Sequence, residues 1–235
     1  MKDYALVTGG SQGIGLAICR RLKEDGATPI IFDRVAPADP DLGEFREVDL
    51  SDTGATAAAL EWALALGPVS RLVNNVGMVL PALLEDTSLE DFDTLMALNV
   101  RCAIQCTKTL APAMRERGMG RIVNIASRAA FRGDTPDYMQ YAASKGGLVS
   151  LTRSLARGFA ADNILAYVVA PGFVRTEMAE DFTRVHGEEA ITREIPLGDM
   201  ASPEDVAEVV LFLASGRARH ATGTTIDING ASYVR

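Results

Sequence analysis

Ala5-Leu6-Val7-Thr8-Gly9-Gly10-Ser11-Gln12-Gly13-Ile14-Gly15 is the stretch from which the rest of the chain can be read. Residues 4–8 have the apolar and β-branched make-up of a buried strand. The run breaks into glycines, and a helical period follows over residues 14–24. Glycines in such a turn let backbone approach a ligand closely, and the helix start behind them attracts anions such as a pyrophosphate. The spacing is GxxxGxG and not GxGxxG, because Leu16, Ala17 and Ile18 follow Gly15. Strand, glycine turn and helix together carry the signal; glycines alone are weaker.

The alternation continues outward. Strands are expected at 28–33, 45–49, 71–74, 121–126, 165–170 and 225–228, and helices at 52–66, 89–117 (as one or two), 138–161 and 203–214. Several of the strands are almost continuously apolar, as in a parallel sheet covered on both faces. The pattern specifies an α/β fold, a doubly wound parallel sheet of about seven strands with right-handed crossovers and helices on both faces. No repeat, low-complexity tract or linker divides the chain, so residues 1–235 read as one domain. Residues 173–200 are the least regular piece, with charges on both sides of scattered apolar residues. This piece follows a strand, where open α/β sheets place ligand crevices, so it reads as a lid over the site or as a surface excursion. The lid is the expectation taken forward.

Composition narrows the partners. With 48% hydrophobic and 23% charged residues among 235, the chain has the make-up of a globular protein with a sizeable core. A net charge of −8 argues against nucleic acid and against an anionic membrane surface, both of which reward basic patches. No apolar run approaches the ~20 residues of a membrane-spanning helix. A strand starting at Tyr4 leaves no room ahead of it for a signal peptide, so a cytoplasmic location is expected. Cys19, Cys102 and Cys106 form no CxxC pair, and His186 and His220 lie far from Cys102 and Cys106 along the chain, so no metal is expected.

Chemistry enters at Tyr141-Ala142-Ala143-Ser144-Lys145. Residues four apart share a helix face, which sets a phenol beside an ammonium. Free tyrosine titrates near ~10, and lowering that by ~2–3 units takes roughly 3–4 kcal/mol of differential stabilisation. A close, partly desolvated cation can supply it, and a bound, positively charged nicotinamide would add to it. The product is a general acid/base suited to alcohol–ketone chemistry. Tyr138 has Ala142 as its own fourth neighbour, so it lines a pocket or caps the helix instead. At the other end, Asp33 closes the second strand 18 residues after Gly15. A carboxylate there accepts hydrogen bonds from the adenosine ribose and repels a 2′-phosphate. Arg34 beside it would accommodate that phosphate, whereas Gln12 gives the glycine loop no second cation. NAD is therefore expected as cofactor ahead of NADP.

In this order the residues resemble the compact, single-domain branch of the short-chain dehydrogenase/reductase family, over essentially the whole chain. Thr8-Gly9-x-x-x-Gly13-Ile14-Gly15 is similar to its glycine loop, and Asp49-Leu50 stands where the family has an adenine-contacting aspartate. Asn74-Asn75-Val76-Gly77 resembles its Asn-Asn-Ala-Gly motif, with Val76 a departure that adds bulk. Asn99-Val100 matches its helix asparagine, Ser127 follows Asn124-Ile125-Ala126, and Pro171-Gly172 with Thr176 completes the series. The resemblance implies a Rossmann fold and hydride exchange between a nicotinamide and a secondary alcohol or ketone. It gives Tyr141 the proton transfer, Lys145 the lowering of the tyrosine pKa and the nicotinamide ribose, Ser127 the substrate oxygen, and Asn99 a water linked to Lys145. It runs the dinucleotide along the glycine loop, Ser11 and Gln12 included, past Asp33, Arg34, Asp49 and Leu50. From there the path crosses Asn75, Val76 and Gly77 to Tyr141, Lys145, Pro171, Gly172, Val174 and Thr176. The 14 residues from Ser127 to Tyr141 are about one more than the commonest family spacing, which Gly133 and Pro136 can absorb.

The candidate substrate contacts are Ser127, Arg128, Tyr138, Phe173 and Met178, with Met78, Val79, Phe131 and Arg132 near them by position. Such mixed walls suit a medium-sized, partly apolar alcohol or ketone. Arg128 and Arg132 read either as partners for a substrate carboxylate or as surface arginines. A 3-oxoacyl-[acyl-carrier-protein] reductase is the rival enzyme; Asp33 and the acidic charge count against it. A non-catalytic NAD(H)-binding regulator is a further alternative, since fold does not fix function. The joint presence of Asn99, Ser127, Tyr141 and Lys145 counts against that one. Ala142, Ala143, Gly146 and Gly147 leave a small-residue helix face, and the resemblance implies a homotetramer.

Overall fold

Residue alternation along β1 (Tyr4–Thr8) sends Ala5 and Val7 to one side of a sheet and Tyr4 and Leu6 to the other, all of them buried. The computed structural model describes residues 3–235, apart from the side chains of Asp181, Val185 and His186, and extends this pattern through one sheet. After β1 come α1 (Gly13–Glu24), β2 (Thr28–Asp33), β3 (Glu44–Glu47), α2 (Thr53–Leu66) and β4 (Val69–Asn74). Then follow α3 (Leu89–Met96), α4 (Cys102–Glu116), β5 (Gly120–Ile125), α5 (Ala129–Arg132), α6 (Met139–Phe159) and β6 (Ile164–Pro171). The chain closes with α7 (Glu177–His186), α8 (Glu188–Thr192), α9 (Pro203–Ala214) and β7 (Thr225–Ile228).

Strand order is β3-β2-β1-β4-β5-β6-β7, and every neighbouring pair is parallel. This is the doubly wound sheet expected from the sequence. The direction of growth reverses between β1 and β4, which opens a crevice at the carboxyl ends of those strands. On one face α1 and α9 pack through Ile18, Leu22, Val206 and Val210 onto Val7, Ile31 and Tyr167. On the other, α2, α4 and α6 bring Leu60, Leu110 and Ala156 onto Leu6, Phe32, Leu72 and Ile122. Each fully buried leucine is worth about 1.5–3 kcal/mol over an exposed one, so these two layers hold the helices more than their intrinsic propensity does.

Three boundaries shift from the expected ones in ways that bear on the site. The helical stretch at 89–117 is interrupted by a π-helical turn (Ala97–Arg101), a device that concentrates at functional positions, and it carries Asn99. β3 ends at Glu47, so Asp49 lies in the turn that follows, where its carboxylate accepts from the Ser51 amide and hydroxyl. Tyr138 closes a short 3₁₀ turn ahead of α6, so it is no part of the helix that bears Tyr141. Among the described residues no helix is long and apolar enough to cross a membrane.

Candidate active site

The nucleotide end of the crevice is built mainly from backbone. Gly9 adopts a left-handed φ of 66° and donates its amide to the Phe32 carbonyl at 2.7 Å. A Cβ on Gly15 would sit 1.9 Å from the Gly9 carbonyl oxygen, so only glycine lets α1 start this close to the turn. Asn75 clamps the turn to β4, donating its side-chain amide to the carbonyls of Thr8 (3.0 Å) and Gly9 (2.9 Å). Thr8 returns the tie through Oγ1, which accepts from the amides of Asn75 and Val76. Asp52 and Ser88 cap the starts of α2 and α3, but Gln12 makes no side-chain cap on α1 and no acidic residue stands in its first turn. The first amides of α1 are left for an anion. Ser11 Oγ, buried beside them without a partner, has the chemistry a phosphate oxygen needs. These residues fit a dinucleotide.

Asp33, at the end of β2, takes the Ser11 amide on Oδ2 (3.0 Å) and the Arg34 amide on Oδ1 (2.7 Å). Asp49 is exposed, and its hydrogen bonds from Ser51, with Arg34 adding a smaller pull, hold its carboxyl below the usual range. Leu50 is buried behind it. Across the crevice, Thr176 lies against Gly13, where a Cβ would approach it to 3.2 Å. Pro171 ends β6, and Gly172 packs so closely on Asn229 that an added Cβ would lie 2.8 Å from that residue's own Cβ. Val174 is buried and bridges to Ala201.

The other end is built from ionisable side chains, and it brings Asn99, Ser127, Tyr141 and Lys145 together. Ser127 Oγ accepts the Ala129 amide at 3.1 Å and shares a hydrogen bond with the Tyr141 hydroxyl. Lys145 is buried, donates Nζ to the Ile125 carbonyl at 3.0 Å and lies 5.7 Å from the centroid of the Tyr141 ring. A Cβ on Gly77 would meet Lys145 Nζ at 3.0 Å and Asn99 Oδ1 at 3.3 Å, so glycine lets the loop after β4 pack directly against both groups. Asn99 takes the Met78 amide on Oδ1 (2.8 Å) and donates to the Met78 carbonyl and to Ser144 Oγ (3.0 Å each). Its side chain thus fixes the loop after β4 to α6. Between Ser127 and Tyr141 the chain forms α5 and then turns at Gly133, φ 76°.

The electrostatics differ from the sequence reading. Burial pushes the Tyr141 phenol up to about 12; the Ser127 hydrogen bond pulls it down and Asp134 adds to the rise. Burial also pulls Lys145 down to about 8. The lysine stands over the ring face with its Nζ on a carbonyl, and desolvation of the phenolate outweighs it. The cation alone does not loosen this proton.

Of the expected substrate contacts, Tyr138 and Phe173 meet through a residue that sequence reasoning missed. Phe182 of α7 lies 6.1 Å from the Tyr138 ring and 5.2 Å from the Phe173 ring. A signal for it is present: Met178, Phe182 and Val185 recur at i, i+4 and i+7 in the sequence, the spacing of one apolar helix face, within the segment read as irregular. Met178 is exposed. Arg128 is buried with its guanidinium 4.7 Å over the Phe173 ring, and so is no surface arginine. Gln140, also missed, donates to the carbonyls of Leu80 (2.8 Å) and Ala82 (3.3 Å) and fixes the loop beside the crevice.

A glycine turn at a sheet switch point, facing a hydrogen-bonded serine–tyrosine pair backed by a lysine, defines a class: an α/β oxidoreductase that uses a nicotinamide dinucleotide. Comparison with known proteins bears this out. A family model described as enoyl-(acyl carrier protein) reductase matches residues 9–231. The acetoacetyl-CoA reductase of Rhizobium meliloti is 36% identical over 242 residues, spanning 99% of each chain. A protein from Beutenbergia cavernae assigned as an NAD(P)-dependent gluconate 5-dehydrogenase, solved with bound NADP at low occupancy, superposes with a TM-score of 0.91 at 32% identity over 98% of this chain and 96% of its own. A 3-oxoacyl-(acyl-carrier-protein) reductase from Agrobacterium tumefaciens C58, solved with NADP, gives 0.89 at 33% identity over 97% and 93%. The chain belongs to the short-chain dehydrogenase/reductase family, and it is an NAD(P)(H)-dependent oxidoreductase acting on CH–OH groups.

The comparison corrects one expectation. Both solved relatives hold NADP, which overturns the ranking of NAD ahead of NADP. The reason is visible at Asp33. Its carboxylate braces the glycine loop through Ser11 and its own neighbour's amide, and Arg34 stands exposed beside it. The cofactor is accordingly NAD(P)(H).

Proposed function

We propose that Tyr141, Ser127 and Lys145, with Asn99 behind them, interconvert a secondary alcohol and a ketone. The observation that carries this reading is the buried Lys145 Nζ 5.7 Å from the centroid of the Tyr141 ring, with Ser127 placed to hydrogen-bond the phenol. When bound, the dinucleotide supplies the acceptor or donor of the hydride. Tyr141 Oη takes the hydroxyl proton in oxidation and returns it to the carbonyl oxygen in reduction. The Ser127 hydroxyl holds that oxygen and stabilises the charge developing on it. Lys145 binds the nicotinamide ribose, and Asn99 positions the Met78 loop against α6.

The same reading assigns the rest of the dinucleotide. Gly9 to Gly15 cradle the pyrophosphate, with the Ser11 hydroxyl and the first amides of α1 as donors. Asp33 and Arg34 flank the adenosine ribose, Asp49 and Leu50 the adenine, and Asn75, Val76 and Gly77 the nicotinamide side. Pro171, Gly172, Val174 and Thr176 close the far wall. Residues 1–235 act as one domain in which 173–200 is the lid, supported by Phe182 bridging Phe173 and Tyr138. The active form is a homotetramer packed on the small-residue face of α6. The compartment is the cytoplasm, in line with three free, buried thiols.

A second reading, reduction of a 3-oxoacyl thioester, is favoured by two of the similar proteins, an acetoacetyl-CoA reductase and a carrier-protein reductase. It uses the same proton steps. The test common to both is Tyr141→Phe, assayed by reduced-dinucleotide absorbance against alcohols, ketones and 3-oxoacyl thioesters. Turnover is expected to fall at least ~10²-fold with dinucleotide binding retained, the scale of a positioned acid/base. Near-normal turnover in that variant removes Tyr141 from the reaction.

A further inference from the structure

Arg128 directly follows Ser127 and is 4% exposed, among the most deeply buried charged side chains described. Its guanidinium stacks 4.7 Å over Phe173 and donates one hydrogen bond, to the Ser232 hydroxyl. The nearest carboxylate is Glu194, just beyond α8, at 3.7 Å. Arg132, one helical turn further on, stands 3.7 Å from the same Glu194 oxygen and 3.6 Å from Asp134. At these distances charges attract, but the paired N–H···O bonds of an arginine–carboxylate fork are not formed. Glu194 is itself 58% exposed and comes from the segment read as the lid. With one neutral hydrogen-bond partner and one loose, solvent-facing counter-ion, the guanidinium keeps N–H donors free to pair with a further acceptor. Burial and the charge of Arg132 accordingly hold the Arg128 pKa below its usual value. Two cations converge on one carboxylate, in a chain of net charge −8.

We propose that Arg128, assisted by Arg132, is a subsite for a carboxylate on the substrate, with Glu194 of the lid as its internal stand-in. The proposal rests on Ser127 and Tyr141 being the site of proton transfer, and it narrows the substrate to a hydroxy acid or its oxo acid. The carboxylate enters beside Phe173, forms the fork with Arg128 and releases Glu194 to solvent. A carboxylate is chosen over a phosphate because a carboxylate already faces both guanidiniums.

The test uses the full chain at saturating dinucleotide, with aliphatic hydroxy acids set against their methyl esters. The reading is the acid-to-ester ratio of kcat/KM. Acids are expected to lead in the unaltered protein. Arg128→Met is expected to cut the ratio by about 10²-fold, mostly through KM, the scale of removing one partner of a desolvated charge pair. Arg128→Lys, which keeps the charge but not the fork, should restore only part of it. Because Arg128→Met disturbs a buried position, Glu194→Gln gives an independent reading: the ratio should rise, as the competing carboxylate is gone. Binding of butanoate against butanamide in the presence of reduced dinucleotide, measured by calorimetry, reads the subsite without turnover. A ratio unmoved by both Glu194→Gln and Arg128→Met, or equal binding of butanoate and butanamide, overturns the subsite. A preference for phosphate monoesters over acids overturns the carboxylate assignment. Tyr141→Phe with near-normal turnover would sink the proton-transfer reading and leave the butanoate result standing on its own.

Discussion

The two ends of the crevice hold their ligands by opposite means. At the glycine loop the fixed groups are amides and carbonyls, tied by Asn75 and Thr8, and the groups left for a ligand are a helix start and the Ser11 hydroxyl. At Tyr141 and Lys145 the fixed groups are ionisable side chains taken out of water, so their protonation depends on what fills the site. The first end is ready before the dinucleotide arrives. The second rests with its phenol neutral: pushed up to about 12, it keeps its proton, beside a lysine that is still mostly charged at pH ~7 but, near 8, holds that charge less firmly than in water. A positive nicotinamide bound beside the phenol would supply the charge that lowers its pKa. Rigidity is supplied by backbone, and switching by burial.

The largest expected effect breaks the rigid end. Gly15→Val places a side chain where a Cβ alone would lie 1.9 Å from the Gly9 carbonyl, so α1 cannot start where it does. Dinucleotide affinity, measured by fluorescence titration, should drop by at least ~10³-fold, the loss of several charge-assisted contacts together. Retained affinity would mean that the loop is far softer than its packing indicates.

Lys145→Met separates the ends in one variant, because it should abolish turnover yet stabilise the fold. The lysine titrates near 8 when folded, against an ordinary value of 10.5, so between those values the unfolded chain binds more protons and stability rises with pH. Below 8 the cost of the buried charge is felt in full. At pH ~7 the variant should therefore melt a few °C higher, as a gain of about 1–2 kcal/mol gives in a chain of this length. The gap should close as pH rises towards ~10. A lower melting temperature at neutral pH would show that the bond to Ile125 outweighs desolvation.

Ser127→Ala is the finer test of the switching end. The Ser127 hydrogen bond lowers the Tyr141 pKa, so its loss should move the rising limb of the alcohol-oxidation pH profile upward, by about 1 unit if the bond is worth ~1.5 kcal/mol. A limb that stays in place, with only the rate reduced, would confine Ser127 to holding the substrate.

The contrast also explains what could be read from the sequence. The glycine turn, the alternation of strands and helices and the four-residue step from Tyr141 to Lys145 follow from local geometry, and local geometry is written in spacing. The sheet and the Tyr141–Lys145 pair were therefore legible from spacing, while Asn99 and Ser127 were joined to them only through the family resemblance. The phenol's resting pKa was not, because it depends on how much water the packing around Ser127 and Lys145 excludes. Neither was the burial of Arg128, which depends on Phe173, Glu194 and Ser232, all distant from it along the chain. Asp33 misled for a related reason. A strand-ending carboxylate indicates a ribose contact, yet its oxygens also brace Ser11 and Arg34, and similar proteins hold NADP.

The most direct measurement is an ultraviolet difference titration of the Tyr141 phenol, taken as the unaltered protein minus Tyr141→Phe, with and without oxidised dinucleotide. Without it the phenol should stay protonated up to about 12, and with it the titration should fall by at least ~2 units, the shift that brings a tyrosine into catalytic range. A phenol already ionising near neutrality in the protein alone, or one that dinucleotide leaves unmoved, would contradict the account.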